Sequence, residues 1–232
     1  MITKLTVTGA DDSTAIPEMM ELSNRFPQTE WGILVSGNES GYERFPSRAW
    51  QKDLFAAWKA VNIMLSAHFC GKFVRNVCQG DWDVLEQIPY QMFSRIQLNF
   101  HGYLHKIDNI EKFAQGFKDD RLKHVEFIFQ IDNVNNKVLD IARNFEINAF
   151  PLFDLSGGAG RLPDKWPIAT GYSGYAGGLS ADNLAEQLPL IAAAAKNNPY
   201  WIDAETRLRK DDDSALDMDA VTKYLEIGSN YQ

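Results

Sequence analysis

The stretch that decides the fold runs Phe150-Pro151-Leu152-Phe153-Asp154-Leu155-Ser156-Gly157-Gly158-Ala159-Gly160, an apolar run that ends in a carboxylate and a glycine-rich turn. A second such turn, Ala176-Gly177-Gly178-Leu179, lies between an apolar run at residues 168–172 and a helical pattern that starts at Asp182. Glycine lets the backbone approach a ligand closely, and the N–H groups at the start of a helix attract anions. Two such turns late in a chain of 232 residues favour the phosphate site of a (β/α)₈ barrel, which the loops after strands seven and eight form.

Short apolar runs alternate with amphipathic stretches along the whole chain, which predicts parallel strands joined by right-handed helical crossovers. The runs look apolar on both faces, as in strands that are buried on both sides. We therefore predict one (β/α)₈ TIM-barrel domain over residues 1–232. The alternative, a doubly wound open sheet, usually starts with a glycine-rich first turn, and residues 8–12 match that turn poorly. The predicted strands are 5–8, 32–36, 64–69, 95–99, 125–130, 149–154, 168–172 and 200–204, and the predicted helices are 15–25, 48–61, 82–88, 110–117, 135–145, 182–195 and 218–227.

Composition excludes some classes of function. Hydrophobic residues make up 45% of the chain and charged residues 23%, as in ordinary globular proteins. A net charge of −8 argues against a general nucleic-acid or anionic-membrane binder. No stretch is long enough to span a membrane, and residues 1–12 lack the apolar core of a signal peptide. Because the two cysteines, Cys70 and Cys78, fit a reducing compartment, we expect a cytoplasmic protein.

Polar residues follow the predicted strands at the end where barrel enzymes carry their catalytic groups. Asp11 and Asp12 have an alternative role, as caps of the first helix. His68 and Cys70 share one side of an extended strand, although a buried cysteine is usually a small apolar residue. His101 and His105 flank Gly102 outside any convincing helix, so they make a poor metal pair, and we expect neither a metal nor a cofactor. The polar strand-end residues are Thr8, Asp11, Asp12, Ser36, His68, Cys70, Asn99, His101, Gln130, Asp132, Asp154, Asp203 and Glu205.

Taken in order, these motifs resemble the phosphoribosylanthranilate isomerase family. That family is a tryptophan-pathway barrel that opens a phosphorylated aminoribose ring and forms the 1-amino-2-ketose. The glycine turns at 157–160 and 177–178 carry the resemblance best, since they occur in the family's order and spacing. The other matching segments are Leu5-Thr6-Val7-Thr8-Gly9, Phe45-Pro46-Ser47-Arg48, Gln97-Leu98-Asn99-Phe100-His101-Gly102 and Trp201-Ile202-Asp203.

The resemblance implies roles for individual residues. Asp154 matches the general acid that protonates the ring oxygen. Arg48 matches the arginine that contacts the anthranilate carboxylate, a pairing that suits a planar guanidinium. Asn99 and Asp203 fall where substrate-binding residues are expected. The implied phosphate-binding residues are Gly157, Gly158, Gly160, Gly177, Gly178 and Thr206.

Two departures from the family pattern matter. The family's general base is a cysteine at the end of strand one, and Thr8 stands there in this chain. A threonine hydroxyl does not ionise near neutral pH, so we expect a relocated base among Asp11, His68 and Cys70. The family's Ser-Ser-Gly turn after strand eight is replaced by Glu205-Thr206-Arg207. Glu205 would repel a phosphate unless it points away or Arg207 and Arg209 offset its charge.

Three functions follow from the sequence. The first is an isomerase that acts on a phosphorylated sugar or aminosugar by acid–base ring opening. The second is another phosphosugar reaction, such as aldol cleavage or epimerisation; a Schiff-base aldolase needs a lysine within a strand, and the predicted strands contain none. The third is a non-catalytic protein that binds phosphosugars. The oligomeric state does not follow from the sequence.

Overall fold

Eight parallel strands close into a barrel in sequential order, in a computed structural model that describes residues 1–37, 41–61, 63–101 and 103–231. Each strand pairs with the next, and β8 returns to β1 with Ile202 beside Leu5. The predicted (β/α)₈ barrel is therefore confirmed. The strands are β1 (Ile2–Thr8), β2 (Thr29–Val35), β3 (Met64–Phe69), β4 (Arg95–Leu98), β5 (Glu126–Ile131), β6 (Ala149–Phe153), β7 (Ser173–Ala176) and β8 (Tyr200–Ala204).

Helices cover the outside of the barrel. An α-helix follows every strand except β6, whose connection to β7 contains no α-helix in the fully described stretch 154–172. The close packing of the last helix on β1 depends on Gly228, since a Cβ there would lie 2.5 Å from Leu5 Cδ2. The helices are α1 (Ile16–Arg25), α2 (Arg48–Trp58), α3 (Gly71–Cys78), α4 (Ile110–Gly116), α5 (Val138–Asn144), α6 (Leu184–Ala195) and α7 (Met218–Ser229).

The seventh strand was predicted wrongly. The apolar run 168–172 precedes β7, which begins at Ser173. Trp166 Nε1 donates to Gln187 Oε1 at 3.0 Å, and the N–H of Ala169 donates to the carbonyl of Ala194 at 3.0 Å. The start of this apolar segment therefore packs on α6, its last residue Tyr172 packs on Phe150 and Trp201, and the segment does not enter the sheet.

Two local predictions near helices also fail. The predicted helix 82–88 is a 3₁₀ helix, Asp83–Gln87, and Pro89 follows it closely. The alternative role of Asp11 as a helix cap is wrong, because α1 begins after Ala15, which makes no side-chain capping bond. The carboxylate of Asp11 instead accepts from Ser13 and Arg44.

The interior of the barrel is polar on one side, contrary to the expectation of strands that are apolar on both faces. Thr6 Oγ1 donates to Glu30 Oε2 at 3.0 Å, and Arg95 Nη1 lies 2.9 Å from the same oxygen. The Arg95 guanidinium stacks over the Trp201 ring at 4.2 Å from its centroid. The other side of the interior is apolar, with Ile128, Leu152, Ala176 and Trp201 packed together.

Candidate active site

One cavity lies at the carboxyl ends of β4–β8, where the loops of the second half of the barrel meet. Its volume of about 70 Å³ is well below the range of about 300–1,000 Å³ typical of drug-sized ligand sites, and it adjoins a groove of about 720 Å³. It contains eight predicted site residues: Asn99, Asp154, Gly158, Gly160, Gly177, Gly178, Asp203 and Thr206. The predicted residues that do not line it are Thr8, Asp11, Arg48, His68, Cys70 and Gly157.

Asp203 is the buried carboxyl group of this cavity. It is the last but one residue of β8, which pairs with β1, and Thr8 Oγ1 donates a 2.7 Å hydrogen bond to its Oδ1. Burial raises the pKa of Asp203 to about 8, and the charges of Glu205, Glu30 and Asp154 act in the same direction, while the Thr8 hydrogen bond opposes them. Asp203 therefore carries a proton at neutral pH and can donate it.

Asp154 is held by four hydrogen bonds. Its Oδ1 accepts from the N–H (3.2 Å) and the hydroxyl (2.7 Å) of Ser156. Its Oδ2 accepts from the N–H of Gly158 at 2.7 Å and from Gln130 Nε2 at 2.8 Å. One N–H group that was expected to bind phosphate is therefore already occupied by the carboxylate of Asp154.

Other glycine N–H groups remain available. Within the described part of the chain, the backbone N–H groups of Gly160, Gly177 and Gly178 donate to no protein acceptor. Gly178 has a φ of +69°, and a Cβ on it would lie 2.5 Å from the nitrogen of Leu162, so glycine is needed where the loops after β6 and β7 cross. The first glycine turn follows β6, one strand earlier than the typical phosphate loop, but it converges with the turn after β7 as predicted.

The turn after β8 completes this edge of the cavity. Thr206 lies against Gly160, where a Cβ would be 3.1 Å from Thr206 Cβ. The Arg207 side chain is exposed, and among the described residues it forms no ion pair. A wider groove outside the cavity shares Gly160, Gly178, Thr206 and Arg207 with it, so a larger substituent has room to extend outwards.

Glu205 faces the cavity, and its charge is offset by a residue that the sequence did not suggest. Arg44 Nη1 lies 2.8 Å from Glu205 Oε1. Burial raises the pKa of Glu205, and Arg44 opposes that shift. The charge of Arg209 also lowers the pKa of Glu205, as the sequence suggested, although its guanidinium pairs with Asp11 at 3.1 Å and Asp213 at 2.6 Å.

The three candidates for a relocated base are poorly placed to take a proton from a ligand in this cavity. Burial would raise the pKa of Asp11, but hydrogen bonds from Ser13, Arg44 and Arg209 outweigh it and leave the pKa below its ordinary value. His68 is buried inside the barrel, where desolvation and the charge of Arg95 lower its pKa to about 3.

Cys70, the third candidate, follows β3. Its Sγ accepts from Asn99 Nδ2 at 3.1 Å and lies 3.7 Å from the carbonyl oxygen of His68, so neighbouring polar groups already engage it.

Arg48 lies apart from the cavity. It is the first residue of α2, which Ser47 caps by accepting from the N–H of Trp50. Its Nη1 is buried and has no hydrogen-bond partner among the described residues, and burial lowers the pKa of the guanidinium. A separate small cavity contains it together with Ser36 and Gln51. The implied contact between Arg48 and a substrate in the main cavity has no support from this placement.

A histidine–carboxylate pair lies beside Gly157 of the loop after β6, next to the residues that line the cavity and not among them, and the sequence assigned no part in the reaction to either residue. His101 Nδ1 is 2.5 Å from Asp132 Oδ2. Both residues were recognised as strand-end positions, after β4 and β5, and that was the signal available. Their pairing depends on the loop after β4, whose path the sequence pattern does not indicate.

Two further searches cover the described ranges of the chain. Within them, His, Cys, Asp and Glu side chains form no group of three or more that could hold a metal ion. None of the helices there is long and apolar enough to cross a membrane.

Comparisons with known proteins show what the chain is similar to. No protein-family model matches it, and no curated protein sequence matches it either. Among solved structures, D-psicose 3-epimerase from Clostridium cellulolyticum H10 is 12% identical, with a TM-score of 0.51 over 97% of this chain and 96% of that chain. A GH113 β-1,4-mannanase is 10% identical, with a TM-score of 0.48 over 97% and 98% of the two chains. The likeness is one of fold.

Proposed function

We propose that this protein is an isomerase of phosphorylated sugars or aminosugars that works by acid–base ring opening, as its resemblance to phosphoribosylanthranilate isomerases implies. The observation that carries the proposal is the position of Asp203. A buried carboxyl group, hydrogen-bonded by Thr8, shares one cavity with the available N–H groups of Gly177 and Gly178. A proton donor and an anion site within one small cavity suit a phosphosugar.

The two ends of the substrate are bound by different groups. The phosphate binds the N–H groups of Gly160, Gly177 and Gly178, with Thr206 and Arg207 beside them. The sugar ring lies over Asp203 and the amide side chains of Gln97 and Asn99, which line the same cavity. Because Asp203 holds its proton near neutral pH, it protonates the ring oxygen as the C1–O bond breaks. Asp154, whose oxygens hold the loop after β6, orients that loop.

A second candidate function is a phosphosugar-binding protein without catalysis. Two observations favour it. Thr8 stands where the resembling family has its basic cysteine, and all four donors to Asp154 are protein groups of its own loop and of Gln130. A binder would retain the phosphate site and lack proton transfer.

An assay of the purified protein with a panel of phosphorylated aldoses and aminosugars, phosphoribosylanthranilate among them, separates the two functions. Isomerisation is followed by ³¹P NMR, and binding is followed by calorimetry. We expect turnover of at least one phosphorylated compound and none of its dephosphorylated form. Binding without turnover would favour the second candidate, and no binding of any phosphorylated compound would overturn both.

Two variants then assign the roles. Asp203→Asn removes the proton donor and is expected to lower turnover by about 10²–10⁴-fold while the ligand still binds. Arg207→Ala weakens binding of the phosphate end instead. Asp140→Asn and Arg143→Ala, which break an exposed ion pair on α5, are the matched controls and should change neither quantity.

A further inference from the structure

His101 is an exposed imidazole with one nitrogen fixed and the other unused. Its Nδ1 is 2.5 Å from Asp132 Oδ2, while 57% of its side chain is open to solvent. Because a carboxylate oxygen can only accept, the short contact requires the proton of the neutral ring on Nδ1. Nε2 is then a lone-pair acceptor, and no described residue donates to it.

Asp132 is a rigid partner for this histidine. Its side chain is only 4% exposed, and its Oδ1 accepts from the N–H groups of Val134 (2.8 Å) and Asn135 (3.0 Å). Asn135 Oδ1 accepts in turn from the N–H of Asp132, and its Nδ2 donates to the carbonyl of Gln130. One oxygen of Asp132 thus fixes its own turn, and the other is committed to His101.

The histidine ring lies against the loop that borders the cavity. A Cβ on Gly157 would lie 2.5 Å from His101 Nδ1 and 2.8 Å from its Cε1, so only glycine leaves space for the ring. Gly157 precedes Gly158, which lines the cavity and donates its N–H to Asp154. Gln130 lies two residues before Asp132 and donates to Asp154. The segment that carries Asp132 is therefore also joined to the loop after β6.

We propose that His101 is the general base of the reaction and that Asp132 is the residue that positions it. This inference rests on the proposed function and supplies the group that Thr8 cannot provide. An imidazole that an aspartate orients through Nδ1 presents Nε2 as the proton acceptor, an arrangement widely used for base catalysis.

The step is a proton transfer at the carbon next to C1. After ring opening, Nε2 of His101 takes the proton of C2, and the C2–H electron pair forms the C1=C2 double bond. The electrons of the former C1 double bond move to its oxygen, which takes a proton from solvent, or to its iminium nitrogen, which keeps the proton it already carries and becomes neutral. The imidazolium then returns its proton to C1 as the C2 hydroxyl becomes the ketone and releases its own proton. No oxidant or reductant is required.

The inference is tested with His101→Ala and the matched surface variant His105→Ala. We expect His101→Ala to lose about 10²–10⁴-fold in kcat with little change in KM, and added imidazole to restore part of the activity. His105→Ala should behave as the unaltered protein. A role of His101 in structure alone would give no rescue by imidazole, and an active His101→Ala protein would overturn the assignment while leaving the proposed function intact.

A second measurement does not depend on activity. In ¹⁵N NMR of the histidine rings, His101 should carry its proton on Nδ1. Asp132→Asn should shift the proton to Nε2, because an amide N–H₂ group donates to Nδ1 instead of accepting from it. A His101 ring protonated on Nε2 in the unaltered protein would overturn the inference even if isomerisation is observed. The absence of turnover and of proton exchange at C2 in the unaltered protein would overturn it together with the proposed function.

Discussion

Thr8 Oγ1 donates a 2.7 Å hydrogen bond to Asp203 Oδ1 across the seam where β1 meets β8. The threonine that replaces the expected cysteine is therefore a hydrogen-bond donor to a buried carboxyl group and not a failed base. The two residues set the protonation of the cavity together. Burial raises the pKa of Asp203, and the hydrogen bond from Thr8 lowers it.

Replacing Thr8 by valine should move the pH dependence of activity. The Thr8 hydrogen bond lowers the pKa of Asp203, so Thr8→Val raises that pKa. Because the acid works in its protonated form, we expect the alkaline limb of the pH–rate profile to move upwards by about one pH unit, the worth of one hydrogen bond. Thr29→Val is the control, since Thr29 Oγ1 is buried and none of the residues that the structure describes hydrogen-bonds to it. An unchanged alkaline limb would mean that the Thr8 hydrogen bond does not affect the pKa of Asp203.

Asp203 should also make the folded protein less stable as the pH rises. An aspartate of ordinary pKa 3.8 in the unfolded chain has a pKa of about 8 here, so the folded state retains a proton that the unfolded state has lost. The contribution of Asp203 to the free energy of unfolding therefore falls between about pH 4 and pH 8, by about 1.4 kcal/mol for each unit of difference in pKa at most. The lowered pKa of His68, about 3 against an ordinary value of 6.5, makes a contribution of the opposite sign between those two values.

Urea unfolding at a series of pH values measures this effect. Asp203→Asn should remove most of the decline between pH 4 and pH 8, so the variant gains stability relative to the unaltered protein as the pH rises. Asp11 and Asp213 have lowered pKa values and affect stability at lower pH, outside this window. Parallel curves for the two proteins would mean that Asp203 is ionised in the folded state at neutral pH.

Gly178 is needed for the fold of the turn itself, so a substitution there does not simply block an anion. Its φ of +69° and the 2.5 Å approach of a Cβ to the nitrogen of Leu162 predict that Gly178→Ala destabilises the protein by at least about 1–3 kcal/mol. Gly171→Ala is the matched control, because a Cβ there would meet nothing within 4 Å. Thermal unfolding compares the melting temperatures of the two variants. Equal values would contradict the close contact between Gly178 and Leu162 where the loops after β6 and β7 cross.

The buried ion pair of Glu30 and Arg95 should respond differently to single and double substitution. Arg95→Met leaves the Glu30 carboxylate buried without its partner, which costs about 3–5 kcal/mol of stability. The double variant Glu30→Gln with Arg95→Met removes both charges and should recover most of that loss. Chemical unfolding of the three variants gives the coupling energy, and additive losses would contradict a direct interaction.

The sequence predicted the barrel and part of the site for one physical reason. Parallel strands end at the same edge, so glycine turns after consecutive strands must converge, as those at Gly158 and Gly177 do. The sequence failed at β7, because an apolar run also packs well outside the sheet: Ala169 bonds to Ala194 of α6, and Tyr172 packs on Phe150 and Trp201. The polar interior around Arg95 was missed because counting apolar residues does not separate the two faces of a strand. The pairing of His101 with Asp132 was missed because the two residues follow different strands, β4 and β5.

The exchange of the C2 hydrogen with solvent tests the central claim most directly. The protein and the phosphosugar that it isomerises are incubated in D₂O, and deuterium at C2 of the remaining substrate and at C1 of the ketose product is followed by NMR and mass spectrometry. Proton transfer through a solvent-exposed base predicts deuterium in the product, formed about 10²–10⁴-fold faster by the unaltered protein than by Asp203→Asn. Product that retains all of its original hydrogen, or equal rates for the two proteins, would contradict the account.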